Sequence, residues 1–335
     1  MNQPAEEAVV QSALLRMGLV DADETPVFQP LSGGVSSMIA RVDTRRGSLC
    51  VKQALPELKV ATHWSAPLSR NLAEVAWIRE VSRHLPQAVP QILGEDASTF
   101  TFAMQWLAPE RHPVWKNLLR DGVAEPAFAA QVATLVATIH ANSAHRPDLA
   151  AAFANDQNFF ELRLDPYFVA AARVHADCAP LLQRLAERTA ATRLALVHGD
   201  ISPKNILAGP AGPVILDAEC AWYGDPAFDA AFCLTHLLAK CLWRPQSATA
   251  FLACFDAFAN AYLERADWEP RAELEARIAQ LLAGILLARV DGKSPLEYLD
   301  DEGGATQRAF ARRFLLAPST TLATMRAAWK EDICQ

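Results

Sequence analysis

The chain has 335 residues, 51% hydrophobic and 21% charged, which supplies a large core and excludes a disordered chain. Its net charge of −7 argues against a nucleic-acid binder, which needs a basic stripe. Seven scattered cysteines without a CxxC pair, a non-basic start (MNQPAEEAVV) and no apolar run of the roughly 20 residues that span a bilayer predict a soluble cytoplasmic protein with buried free thiols.

Glu6 to Met17 reads as a short amphipathic helix, with Val9, Val10, Ala13, Leu14 and Met17 on one face and Gly18 as its C-cap. Phe28 to Val42 reads strand, turn, strand. The turn, Ser32-Gly33-Gly34-Val35-Ser36-Ser37, lets backbone N–H groups approach a phosphate without Cβ obstruction, although a glycine pair between strands is also an ordinary hairpin turn. Ser48 to Gln53 is a strand carrying Lys52 near its end. Ser69 to His84 is a helix by its apolar Leu72, Val75, Ala76, Ile78 and Val81, and it holds Glu74 and Glu80. Val89 to Leu93 and Phe100 to Met104 add two strands, and Gln105-Trp106-Leu107 follows as a tight linker. Phe128 to His140 is an apolar helix with His140 at its C-terminal end, where histidine is favourable; Asn142 and His145 follow, but no carboxylate or cysteine completes a zinc set. Ala170 to Ala190 reads as one helix.

The next stretch carries the chemistry. The apolar run Leu194 to Val197 ends in His198-Gly199-Asp200, with Asn205 a few residues on. Val214-Ile215-Leu216 ends in Asp217-Ala218-Glu219, and Gly209-Pro210-Ala211-Gly212-Pro213 between them is a turn. The two apolar runs are expected to pair as a hairpin that delivers acids at its ends, with Glu219 pointing the same way as Asp217 by strand alternation. Asp225 sits ahead of Pro226 as a helix cap. Phe228 to Lys240, Phe251 to Leu263 and Glu273 to Arg289 are apolar helices, and Arg308 to Leu316 is a last amphipathic one.

HGDxxxxN followed by a strand ending in DAE resembles the catalytic loop and magnesium acid of protein-kinase-like enzymes, in the form of the aminoglycoside phosphotransferase and choline kinase group. Within that group the run Val51-Lys52-Gln53-Ala54-Leu55-Pro56, then Trp64 and Pro67, then Arg70 and Glu74, resembles methylthioribose kinases; residues 112–122 and 158–167 resemble them more loosely. The resemblance implies an α+β, bilobal protein-kinase-like fold. A nucleotide-binding N-lobe over 1–106 would hold an antiparallel sheet with one key helix, and a mainly helical C-lobe over 107–335 would hold the catalytic loop and the acceptor. It implies ATP and Mg²⁺ as cofactors. Asp200 would be catalytic. Gly33, Gly34, Ser36, Ser37, Lys52, Glu74, Gln105 and Leu107 would serve ATP. Asn205, Asp217 and Glu219 would serve the metal, with His198 and Asp229 supporting the loop. Lys204 either meets the γ-phosphate or is solvated.

The likeness breaks at two places. Methylthioribose kinases carry an arginine pair in a C-lobe helix where this chain has Leu282 and Ala283, and a serine at the position of Asn205. Two apolar groups in place of guanidinium forks imply a different acceptor pocket. The expectation is an ATP-dependent kinase acting on a small-molecule hydroxyl, first a methylthioribose-like sugar, with aminoglycoside, choline or homoserine as alternatives. A catalytically dead nucleotide-binding scaffold is the rival of another class. No nucleic-acid or membrane partner is expected, and the resemblance hints at a homodimer.

Overall fold

The structure of the chain, a computed structural model, describes residues 3–31, 37–55 and 67–333. The chain divides into two compact units, residues 1–112 with 214–219, and residues 113–213 with 220–335.

The first unit begins with α1 (Gln3–Arg16), β1 (Val27–Pro30), β2 (Ser37–Thr44), β3 (Gly47–Ala54), α2 (Arg70–Ser82), β4 (Ile92–Asp96) and β5 (Thr101–Gln105). Its five-stranded sheet has the order β1-β2-β3-β5-β4, with every neighbouring pair antiparallel. Alternation along β3 decides what each face meets. Leu49 and Val51 join Val10 and Leu14 of α1 in one core cluster, whereas Cys50 joins Val75 of α2, Phe102 and Met104 in another. Lys52, two residues on from Cys50, therefore shares the α2 face. On α1, Val10, Ala13 and Leu14 are fully buried, but Val9 is exposed, because the packed stripe is narrower than the apolar run. Residues 214–219 return to this unit late in sequence, and the Ile215 N–H donates to the Ala88 carbonyl at 2.8 Å.

The second unit is mainly helical. It contains α3 (Trp115–Arg120), α4 (Pro126–Ser143), α5 (Pro147–Ala152), α6 (Asp156–Phe159), a wide π-helical segment (Phe160–Val169), α7 (Ala170–Val174) and α8 (Ala179–Ala191). The helix expected over Ala170 to Ala190 is thus interrupted between Val174 and Ala179. There His175 leaves helical geometry and pairs with Asp291 at 2.8 Å. Next come β6 (Ala195–Val197), β7 (Ile206–Gly209), β8 (Gly212–Ile215) and β9 (Trp222–Gly224). The pairing differs from the expected hairpin. β6 pairs antiparallel with β9, and β7 pairs with β8, so the strand after Asn205, not the one before His198, answers Val214-Ile215. The turn falls where its composition placed it, at Pro210-Ala211. The rest is α9 (Ala227–Trp243), α10 (Ala248–Arg265), α11 (Arg271–Asp291), α12 (Asp301–Leu316) and α13 (Leu322–Ile333), the last unforeseen. Every residue of α9 from Ala227 to Cys241 is buried, as expected for a helix apolar on nearly all sides. Among the described residues no helix is long and apolar enough to cross a membrane.

Candidate active site

In the first unit, the α2-facing side of β3 brings Lys52 to Glu74. The buried ammonium lies 2.6 Å from Glu74 Oε2 and is also bonded to the Asp217 carboxylate. Burial alone would lower the Lys52 amine, but Asp217 and Glu74 outweigh it and hold it above the ordinary lysine range. Burial pushes the Glu74 carboxyl up to about 7 against the pull of Lys52. Asp217 sits in the left-handed region at φ 67°, which an aspartate tolerates better than most residues. Leu216, Asp217 and Ala218 are not strand, so alternation does not aim Glu219 alongside Asp217 as expected. Glu219 is instead held by Arg70 at 3.2 Å. Arg70 is itself buried and also bonds the carbonyls of Leu55 at 2.6 Å and Pro67 at 2.9 Å, tying the end of β3 to the start of α2. Two buried cations thus face three carboxylates.

Other predicted nucleotide residues fall around this unit. Gly33, Gly34 and Ser36 lie outside the described residues, as do Pro56 and Trp64. Ser37 opens β2, buried and paired with Ala54. Gln105 closes β5 with its N–H on the Gln91 carbonyl at 2.8 Å. Leu107 follows outside any helix or strand, and among the described residues its backbone makes no hydrogen bond.

In the second unit, β6 runs into a buried loop. Gly199 has φ 79°, and a Cβ there would lie 2.9 Å from Cys220 Cβ and 3.0 Å from the Cys220 carbonyl oxygen, so only glycine fits. Asp229, in the first turn of α9, accepts the N–H groups of His198 and Gly199, each at 2.8 Å. The Asp200 N–H donates to His198 Nδ1 at 3.1 Å. The Asp200 carboxylate is buried and meets Arg163 at 2.9 Å and Lys204 at 3.1 Å. Asn205 donates its side-chain N–H to the Asp200 carbonyl at 3.0 Å, which leaves its Oδ1 as an acceptor. Lys204 is half exposed and ion-paired, not simply solvated.

The contacts of two residues of this site were not foreseen from sequence. Arg163, on the π-helical segment, also donates to the Gly199 carbonyl at 2.5 Å. Nothing in an arginine among apolar neighbours distinguishes it from a surface residue. His140 lies in the last turn of α4, as expected, but its ring is buried, 2.8 Å from Tyr262 Oη and 3.2 Å from Asp229. Asp225 is buried against Arg277 at 3.1 Å and accepts from the Ala227 N–H at 3.0 Å.

Each unit offers an oxygen donor of the kind a hard cation takes: in the second, the Asn205 amide leaves Oδ1 as an acceptor, and in the first, Asp217 has a carboxylate. Among the described residues no three His, Cys, Asp or Glu side chains converge as a metal cage.

Comparison with known proteins agrees with this chemistry. The family model described as "Phosphotransferase enzyme family" matches residues 27–274. A methylthioribose kinase of Geobacillus thermodenitrificans is 26% identical over 283 residues, covering 73% of this chain and 68% of that protein. Among solved structures, a Plasmodium vivax ethanolamine kinase superposes with a TM-score of 0.58 at 14% identity, over 93% of this chain and 90% of that one. An amicoumacin kinase, solved with AMP-PNP and Ca²⁺, gives 0.53 at 15% identity, over 96% and 98%. With an antiparallel-sheet unit, a helical unit and a family match across most of its length, this chain belongs to the phosphotransferase enzyme family, among the small-molecule kinases of protein-kinase-like fold.

Proposed function

We propose that this chain transfers the γ-phosphoryl group of ATP to a hydroxyl of a small, pentose-like polyol. The observation that carries the reading is the buried Lys52 ammonium gripped by Glu74 and Asp217, a fixed cation of the kind that nucleotide phosphates need. Gly33, Gly34, Ser36 and Ser37 would cover those phosphates, and Gln105 and Leu107 would offer backbone groups to the adenine edge. Asn205 and Asp217 would hold Mg²⁺, with Glu219 supporting through Arg70; the ion, when bound, neutralises phosphate oxygens. Asp200 accepts the proton of the acceptor hydroxyl. The hydroxyl oxygen bonds to the γ-phosphorus, the bond from that phosphorus to the β–γ bridging oxygen breaks, and its electron pair leaves with ADP. Asp229 and His198 keep the Asp200 loop in place, and Arg163 and Lys204 hold its carboxylate.

The pentose-like acceptor rests on likeness to the methylthioribose kinase of Geobacillus thermodenitrificans. Leu282 and Ala283 are fully buried in α11, so this chain must grip its acceptor with other groups. The test is ADP release across neutral sugars, amino alcohols and acidic polyols, together with Asp200→Ala. The variant should lose turnover while Mg·ATP still raises its melting temperature, since a ligand of the folded state stabilises by RT ln(1 + [L]/Kd). Unchanged turnover in the variant would remove Asp200 from the mechanism. A flat melting curve with Mg·ATP would remove the kinase reading.

A further inference from the structure

The second unit holds two buried cations that, among the described residues, form no ion pair with an acid. Lys240 on α9 is 1% exposed; among the described residues it makes no ion pair and no hydrogen bond. Its ammonium lies over aromatic rings, 4.6 Å from the Trp243 centroid and 4.9 Å from that of Tyr298. Arg289 on α11 is 9% exposed and likewise has no acid partner among the described residues. It bonds Ser294 Oγ at 2.8 Å and Tyr167 Oη at 3.3 Å, while its Nε is buried with no hydrogen-bond partner. The Tyr298 hydroxyl is also buried without a partner. Glu297, the acid that acts on both through space, is itself paired with Lys116 at 2.6 Å. An uncompensated buried charge is costly, and so is an orphaned buried donor.

A chain of side-chain contacts links these groups to Asp200. Arg163, which holds Asp200, stacks over Phe232 at 5.7 Å and Tyr167 at 5.9 Å. Phe232, His236 and Lys240 are spaced by four residues on α9 and so share a face, and the His236 ring lies 5.4 Å from Phe232. Arg289, Lys240, Lys204 and Lys116 all act electrostatically on His236; burial first, then these cations, keep its imidazole neutral. The imidazole thus feels four cations, one of them Lys204, which also pairs with Asp200.

Building on the kinase reading above, we infer that the acceptor carries an oxyanion, a carboxylate or a phosphate. It would seat against Lys240, Arg289 and His236 while the hydroxyl to be phosphorylated reaches Asp200. Oxyanions form charge-assisted hydrogen bonds with such donors and supply the missing counter-charge. The rings of Phe232, Tyr167 and Trp243 cover the apolar face of a short carbon chain.

The test is calorimetric titration of the purified chain with ribose, ribonate and ribose 5-phosphate. At least one anion should bind tenfold or more tightly than ribose, and the two anions tell carboxylate from phosphate. Lys240→Met and Arg289→Met should each erase most of that preference, and Lys240→Arg should restore it in part. Equal affinity for ribose and both anions, no binding of either anion, or a preference unchanged in both methionine variants would overturn the inference. Thermal stabilisation by Mg·ATP is read separately. If it persists while the anion preference fails, the kinase reading stands and only the acceptor class falls.

Discussion

Replacing Lys240 by methionine should make the protein more stable, and more so at lower pH. Burial, and then Lys116, push the Lys240 amine from its usual 10.5 down to about 7. At about 1.4 kcal/mol per pH unit, that gap sets a ceiling of roughly 5 kcal/mol; local relaxation brings the realistic figure to ~2–4 kcal/mol. The charged groups that act on it are Lys116, which lowers the amine, and Glu297, which raises it. The sign follows from proton binding. Between pH 7 and 10 the unfolded chain keeps the Lys240 proton and the folded chain has released it, so wild-type stability rises with pH there. Methionine nearly matches the lysine stem in volume and carries no proton. Urea denaturation at pH 6 should show Lys240→Met ahead by ~2–4 kcal/mol, an advantage that shrinks by about 2 kcal/mol or more by pH 9. A variant less stable than wild type at pH 6, or a difference that does not change with pH, would show that the Lys240 charge is compensated within the protein. The reasoning about an unanswered charge would then fail.

Lys52→Met leaves Glu74 and Asp217 together without their shared cation, at a cost of ~3–5 kcal/mol for a broken buried pair. Because both carboxyls are then raised, the loss should be smaller at pH 5 than at pH 8 by denaturant midpoint, and a pH-independent loss would contradict the assignment. Gly199→Ala places a Cβ against Cys220 at positive φ. Calorimetry should record a loss of about 2–4 kcal/mol, with turnover reduced beyond what the unfolded fraction explains. Asp229→Asn keeps the shape but makes one face of the carboxylate a donor toward the His198 and Gly199 N–H groups. It should lower kcat at least tenfold with little change in KM for ATP; an unaltered kcat would deny Asp229 its hold on the loop.

The parts of the fold legible in sequence were those with long periodic signals or fixed spacing. The five N-terminal strands and α2 carry their own patterns, and His198, Asp200 and Asn205 lie so close together that local geometry binds them to one loop. Strand partners were not legible. β6, β7 and β8 are three or four apolar residues each, and such runs encode no register, so the pairing of β6 with β9 needed tertiary structure. Arg163 and His140 were illegible for another reason: each works through a partner far along the chain, Asp200 and Asp229. The grip of Arg70 on Glu219 spans the same kind of distance, and strand alternation pointed elsewhere.

Residues 214–219 belong to the first unit although about a hundred residues of the second are synthesised before them. A chain emerging from the ribosome as far as His112 holds Lys52 and Arg70 in a prospective interior with Glu74 as their one acid from this cluster; Asp217 and Glu219 have not yet been made. The amino-terminal unit therefore cannot finish folding first, against the usual vectorial order. A fragment cut at His112 should remain incompletely packed, and an excised amino-terminal half needs the 214–219 segment supplied as a graft before it behaves as a domain.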